Sequence, residues 1–246
     1  MIEIDLGGQV VVVTGAAKGI GAGIADRFAA AGATLVLQYR SEPPASFDGD
    51  HLPIQLDLVD DGAPAALVDA ALSHFGRVDA VVNNAAVQTH AELVDMTADE
   101  WAQMMDTNVT ACHRITQEFA RHAIGRGGGG SVVHIASIEG TQPAIGHGHY
   151  GISKAALLMH TKVAALELGR HGIRVNAVSP GLVDRAGLAD DWPEGVGRWL
   201  DKVPLGRLGA ASDIGNACVF LCSPMAQWIS GANLVVDGGI SARSTW

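Results

Sequence analysis

The chain is short of positive charge. Its 16 Lys and Arg stand against 26 Asp and Glu in 246 residues, a formal net charge of −10. A nucleic-acid surface needs clustered Lys and Arg, and an anionic membrane attracts the same residues, so neither partner is expected. Cysteine is scarce: Cys112, Cys218 and Cys222 form no CxxC pair and no Cys/His zinc spacing. Cys218 and Cys222 lie four apart in a helical pattern and can share a face, which leaves core packing or a redox or metal role open. No apolar run approaches the ~20 residues of a membrane span. The stretch Met1–Gly8 lacks the basic and apolar parts of a secretory signal. A reducing cytoplasm suits these facts. Charged residues make up 17% and apolar residues 48%, the balance of a globular chain long enough for one large domain.

What is present is an alternation. Short Val/Ile/Leu-rich runs occur at Val10–Val13, Thr34–Tyr39, Val78–Val82, Ser131–Ala136, Ile173–Val178 and Leu234–Val236, with a weaker one at Leu52–Leu56. Helical patterns lie between them near Gly19–Ala31, Ala65–Phe75, Ala98–Ile124, His149–Arg170 and Ser212–Cys222. Strand–helix alternation builds a parallel sheet with helices on both faces, and nearly unbroken apolar strands fit burial on both sides. Ser41–His51, with paired prolines, reads as a loop, and Gly127–Gly130 as a flexible turn. The long mixed segment Gly181–Pro204 carries Trp192 and Trp199, and a substrate lid is expected around 182–204.

The first strand runs into Thr14-Gly15-Ala16-Ala17-Lys18-Gly19-Ile20-Gly21 and then a helix. Gly15 permits a sharp turn. Gly19 and Gly21 clear side chains where backbone meets phosphate and helix meets sheet. The helix N-terminus offers N–H groups to a pyrophosphate, so Gly15, Lys18, Gly19, Ile20 and Gly21 are candidate dinucleotide-binding residues.

This TGxxxGxG turn resembles that of the short-chain dehydrogenase/reductase family. Further motifs agree, in order, from Val10 to Gly239: Asn83-Asn84-Ala85-Ala86 after the fourth strand, Tyr150-Gly151-Ile152-Ser153-Lys154, Pro180-Gly181, and Asp237-Gly238-Gly239. The resemblance implies a single Rossmann domain over 1–246, with a doubly wound, predominantly parallel seven-stranded sheet. It implies cofactor contacts at Asp57 and Leu58 with the adenine, and at Asn84, Ala85, Ala86, Tyr150, Lys154, Pro180, Gly181 and Val183. It also implies a homotetramer built on the segments Ala98–Ile124, His149–Arg170 and Leu234–Gly239.

The second strand ends Gln38-Tyr39-Arg40-Ser41. An acid usually binds the adenosine ribose there, and Tyr39 takes its place. Arg40 can pair with a 2′-phosphate, or stand as a solvated surface residue. Tyr39, Arg40 and Ser41 therefore point to NADP(H) as preferred cofactor, with NAD(H) also admitted.

Tyr150 and Lys154, four apart, share a helix face. A phenol acting as base near neutrality must be made more acidic by about 4 kcal/mol. A cation ~4 Å away in an effective dielectric of ~20 supplies about that much, so Lys154 alone is expected nearly to suffice. Ser137, ending a strand, can hold a substrate oxygen. The resemblance makes Asn108, in a long helix, the holder of a water that links Lys154 to solvent. The set Asn108, Ser137, Tyr150 and Lys154 implies hydride exchange between a nicotinamide and a small-molecule carbonyl/alcohol pair, with no metal. Ketones, 3-oxoacyl thioesters, sugars or polyols, and pterins or imines all fit that chemistry. A catalytically silent cofactor sensor is the rival class. An extended epimerase is disfavoured because its TGxxGxxG spacing is absent.

Two family positions depart: Ala86 stands where Gly is usual, and Gly181-Leu182-Val183-Asp184-Arg185 lacks the usual Thr. Glu139, Gln142, His147 and Trp192 are candidate substrate residues. Glu139 also reads as a solvated turn residue, and His147 with His149 as a metal pair, a pocket wall or plain loop.

Overall fold

The computed structural model describes residues 4–45 and 49–242. Residues 1–3 of Met1–Gly8, 46–48 of the loop Ser41–His51, and 243–246 of the span 1–246 lie outside the described residues.

Four consecutive valines make β1 (Val10–Val13). Val11 and Val13 enter one core, with Ile24, Phe28, Ile214 and Cys218, while Val10 and Val12 enter another, with Leu67, Ile115 and Phe119. An all-apolar strand is therefore required: each side chain meets a helix layer, and each fully buried one contributes roughly 1.5–3 kcal/mol. The first layer is α1 (Gly19–Ala30) and α8 (Ala211–Cys222). The second is α2 (Ala63–Phe75), α4 (Ala111–Gly125) and α5 (Gly148–Leu168).

The other strands are β2 (Thr34–Tyr39), β3 (Leu52–Gln55), β4 (Ala80–Asn83), β5 (Gly130–Ile135), β6 (Ile173–Pro180) and β7 (Asn233–Val236). Among the described residues they form one sheet in the order β3-β2-β1-β4-β5-β6-β7. Every pairing is parallel, so the predominantly parallel sheet expected is wholly parallel. This is a doubly wound Rossmann fold. The order reverses between β1 and β4, and ligands of such sheets bind outside the strands' carboxyl ends at that point.

Several boundaries shift by a residue or two, and three segments differ from expectation more informatively. The fourth strand is Ala80–Asn83 rather than Val78–Val82; Asp79 just before it still reaches both neighbours, its N–H donating to Val10 O at 2.8 Å and its carbonyl accepting from Ser131 N–H at 3.0 Å, while its carboxylate accepts from Val10 N–H at 2.9 Å, Arg77 Nη2 at 2.7 Å and Arg126 Nη1 at 2.8 Å. The single helix expected over Ala98–Ile124 is α3 (Ala98–Met105) and α4 joined by a π turn, Asp106–Thr110. There the Ala111 N–H reaches back to Asp106 O, five residues away. The segment expected to be mobile holds α6 (Leu188–Asp191) and α7 (Pro193–Leu200).

All three cysteines are buried. Burial pushes the Cys112 and Cys222 thiols up to about 11, which makes them packing groups rather than nucleophiles.

Candidate active site

The turn after β1 is held from two sides. Asn84 Nδ2 donates to Thr14 O at 2.9 Å and Gly15 O at 3.1 Å, and the Asn84 and Ala85 N–H groups donate to Thr14 Oγ1 at 2.9 and 3.0 Å. On the other side the buried Gln38 accepts from Gly15 N–H at 2.9 Å and donates to Leu56 O at 2.7 Å. Gln38 was not expected as part of this site; its only signal is an amide inside an apolar strand.

Gly15 sits at φ +62, with Ala85 Cα 2.9 Å from where a Cβ would stand. A Cβ on Gly21 would collide with the Gly15 carbonyl. Gly19, at φ +56, faces open space, and α1 carries no acidic residue in its first turn and no side-chain cap among the described residues. An open, uncapped helix N-terminus behind close-set glycines fits a pyrophosphate. Gly21→Ala is expected to lower stability by about 1–3 kcal/mol through overpacking, read as a drop in thermal midpoint. An unchanged midpoint would show that the turn can yield.

Around this turn, Arg40 and Ser41 are exposed at the end of β2, and Tyr39 is half-buried. Arg40's carbonyl accepts from Gln55 Nε2 at 3.0 Å, which ties its backbone to β3. Asp57 turns on itself, its Oδ1 accepting from Val59 N–H at 3.3 Å, and Leu58 is buried. Ala86 is exposed, so its methyl group crowds nothing in the core.

Ser137 leaves β5 in extended conformation, and its Oγ accepts from Glu139 N–H at 3.1 Å. The Ser137 hydroxyl acts on the Tyr150 phenol and favours its ionised form. Lys154 is buried, donates to Ile135 O at 2.8 Å, and holds its ammonium 5.5 Å from the centre of the Tyr150 ring. Ser137, Tyr150 and Lys154 are thus together at the carboxyl edge of the sheet, the edge from which the glycine turn also leaves β1.

The electrostatics correct one expectation. Burial pushes the Tyr150 phenol up to about 12; the Ser137 hydrogen bond opposes this and the Glu139 charge adds to it. Burial also brings Lys154 down to about 8. The ammonium lies over the ring and bonds a carbonyl, so it does not by itself acidify the phenol. Desolvation of the phenolate outweighs one cation placed this way.

Asn108 sits in the π turn, fully buried. Its Oδ1 accepts from Val87 N–H at 2.8 Å, and its Nδ2 donates to Val87 O at 3.0 Å and Ser153 Oγ at 3.1 Å. Ser153 donates in turn to Tyr150 O at 2.7 Å. The Asn108 side chain therefore latches the loop after β4 to α5, and its direct partners do not include Lys154.

The histidines flanking Tyr150 separate. His147 Nδ1 meets Glu139 Oε2 at 3.0 Å, whereas His149 is buried with Nε2 3.0 Å from Thr89 Oγ1. They face different partners, which removes the metal-pair reading. Gln142 is exposed. Trp192 packs on Gly195 and under the Arg198 guanidinium, 5.8 Å from its ring, so it belongs to its own segment. Trp199 lies against Gly181 and pins the far end of that segment beside Pro180, while Val183 bridges to Gly209 at the near end.

A histidine chain had no signal in the sequence. His113 Nδ1 meets His160 Nε2 at 3.1 Å, His160 Nδ1 meets His134 Nε2 at 3.1 Å, and His134 Nδ1 meets Asn83 Nδ2 at 3.2 Å. It runs from the outer face of α4 and α5 to the end of β4, next to Asn84. Burial holds His134 down at about 3, so it is neutral.

The family profile described as enoyl-(acyl carrier protein) reductase matches residues 15–241. The chain is 34% identical over 241 residues to the 3-oxoacyl-[acyl-carrier-protein] reductase of Escherichia coli K12, covering 95% of this chain and 97% of that one. It is also 34% identical over 248 residues to 3beta-hydroxysteroid dehydrogenase 1 of Eggerthella lenta, covering 96% and 95%. Its fold is similar to that of a solved short-chain type dehydrogenase/reductase from Mycobacterium marinum, with a TM-score of 0.89, 31% identity and 98% of each chain covered.

Proposed function

This chain belongs to the short-chain dehydrogenase/reductase family, enzymes that act on CH–OH and C=O groups with a nicotinamide cofactor, and from that premise we propose that it interconverts a ketone and a secondary alcohol through Ser137, Tyr150, Lys154 and Asn108, with NADP(H) preferred and NAD(H) admitted. The observation that carries this is the Lys154 ammonium 5.5 Å from the centre of the Tyr150 ring, with the Ser137 hydroxyl acting on the same phenol.

When bound, the dinucleotide supplies or takes up the hydride. Gly15, Lys18, Gly19, Ile20 and Gly21 would hold its pyrophosphate, Tyr39, Arg40 and Ser41 its adenosine ribose and 2′-phosphate, and Asp57 and Leu58 its adenine. Asn84, Ala85, Ala86, Lys154, Tyr150, Pro180, Gly181 and Val183 would hold the nicotinamide half.

In reduction, Ser137 and Tyr150 grip the substrate oxygen, and the phenol donates its proton as negative charge develops there. Burial keeps the proton on Tyr150 near neutrality, ready for this step. In oxidation the same oxygen atom of Tyr150 takes the proton back, and the Lys154 ammonium stabilises the phenolate. Ile135 fixes Lys154, and the Asn108 latch fixes α5 against the loop after β4. Segment 182–204, pinned by Val183 and Trp199, serves as lid. Exposed apolar side chains line α5 at Ile152, Met159, Val163 and Leu166, and β7 at Leu234 and Val235. Such a stripe supports a homotetramer built on these elements. We place the enzyme in the cytoplasm; no described helix is long and apolar enough to cross a membrane.

The test follows the absorbance of reduced nicotinamide, crossing NADPH and NADH with ketones, 3-oxoacyl thioesters, sugars and polyols. NADPH is expected to be preferred. Arg40→Ala is expected to lower kcat/KM for NADPH by about 10–100-fold, the worth of a charge-assisted hydrogen bond, and to leave NADH nearly unchanged. Equal losses with both cofactors would refute the Arg40 assignment. NADPH binding with no turnover across the panel would make the protein a cofactor sensor instead.

A further inference from the structure

We propose that Glu139 and His147 form a hydrogen-bond-accepting subsite beside Tyr150, and that the substrate carries a hydroxyl on the carbon next to the reacting one. The substrate class is then a vicinal diol in one direction and its α-hydroxy ketone in the other. This deepens the proposed function and rests on it for the position of the reacting carbon.

The argument starts from hydrogen inventory. An ionised carboxylate only accepts. Glu139 Oε2 stands 3.0 Å from His147 Nδ1, so Nδ1 carries the hydrogen of that bond. The second oxygen of Glu139 is left as an acceptor, and His147 fixes the carboxylate that offers it. The backbone donors of the pair are spent within the fold: Glu139 N–H goes to Ser137 Oγ at 3.1 Å and His147 N–H to Ala144 O at 3.2 Å. What Glu139 offers outward is lone pairs.

Position supplies the rest. The His147 ring stands edge-on to Tyr150, centroids 6.2 Å apart, and edge-on to His90 at 5.8 Å. Glu139 is two residues from Ser137, and its charge acts on the Tyr150 phenol. Side-chain exposures of 20% for Glu139 and 26% for His147 leave the pair partly open and partly shielded from water. A hydroxyl neighbouring the reacting carbon can donate into these lone pairs. A keto oxygen, thioester or carboxylate at that place would set acceptor against acceptor.

The oxidation balances. The C–H and O–H bonds of one carbinol break, the hydride reduces the oxidised nicotinamide that the proposed function supplies, the hydroxyl proton passes to Tyr150, and a C=O bond forms. The neighbouring hydroxyl is unchanged.

The test compares trans-cyclohexane-1,2-diol with cyclohexanol. The wild-type enzyme is expected to favour the diol at least about tenfold in kcat/KM, because a site built to bond a hydroxyl rejects the analogue lacking it. In Glu139→Gln and His147→Phe that ratio is expected to fall towards one. A variant that loses both activities equally, with the ratio preserved, would show a structural role and overturn the subsite. So would a wild-type enzyme indifferent between the two alcohols. A binding arm separates the two readings: the Tyr150→Phe protein with NADP+ bound is titrated calorimetrically with each alcohol. Diol preference there without any wild-type turnover keeps the subsite and sinks the hydride-transfer reading. Equal affinities sink the subsite whatever the turnover.

Discussion

Tyr150→Phe is expected to lower kcat by about a thousandfold in both directions while NADPH affinity stays within a few-fold of wild type. A positioned general acid or base contributes about 10²–10⁴-fold, and Phe keeps the ring on which Lys154 rests while removing only the transferable proton. Ser137 would still hold the substrate oxygen, so residual turnover is expected rather than none. Steady-state rates and nucleotide titration by fluorescence check it; near-normal turnover would refute the assignment. The pH dependence has a definite sign. Burial keeps the phenol protonated near neutrality, with a pKa of about 12. Reduction, which needs a proton on Tyr150, should weaken as pH rises through the Lys154 range near 8, where the ammonium that would return that proton is lost. Oxidation, which needs the phenolate, should strengthen as pH rises until the Lys154 ammonium that stabilises the phenolate is lost near 8.

Lys154→Met is expected to cost at least about a hundredfold in kcat and yet leave thermal stability as high as wild type or higher at pH 7. Burial lowers the lysine from its ordinary 10.5 to about 8. The folded chain therefore holds that proton less tightly than the unfolded chain, a cost on the order of 3 kcal/mol below pH ~8. The cost is relieved as pH rises from about 8 to about 10.5. Against it stands the Ile135 carbonyl, which loses its 2.8 Å donor at a cost of about 1–3 kcal/mol. Met fills similar volume, so the two terms decide the outcome. Melting curves at pH 7 and near pH 10.5 test it: the variant should match or exceed wild type at the lower pH and lose ground at the higher. A fall of many degrees at pH 7 would mean that the buried ammonium stabilises the fold. The expected outcome is a residue kept for chemistry at the expense of stability.

The same contrast separates what was legible in the residues from what was not. β1 and β2 fall on the boundaries expected of Val10–Val13 and Thr34–Tyr39, because an apolar run between turn residues has few alternatives when both faces are covered. The glycine turn was equally plain, since its spacing is dictated by backbone contacts that a Cβ would block. The π turn at Asp106–Thr110 was invisible: Asp-Thr-Asn-Val-Thr carries no Pro or Gly, and the extra residue per turn serves Asn108's reach to Val87 and Ser153. Gln38 and the histidine chain were missed because their partners lie across the sheet, 23 residues away for Gln38 and Gly15, and 51 for His134 and Asn83.

The positions of the strands along the chain, the phosphate turn and the shared helix face of Tyr150 and Lys154 were written in the order of the residues, because local periodicity and steric demands act within a few positions. The direction in which Tyr150 titrates, the partners of Asn108 and the pairing of Glu139 with His147 were settled by packing. Desolvation and hydrogen bonding depend on which atoms the fold brings within about 3 Å, and spacing along the chain carries no record of those.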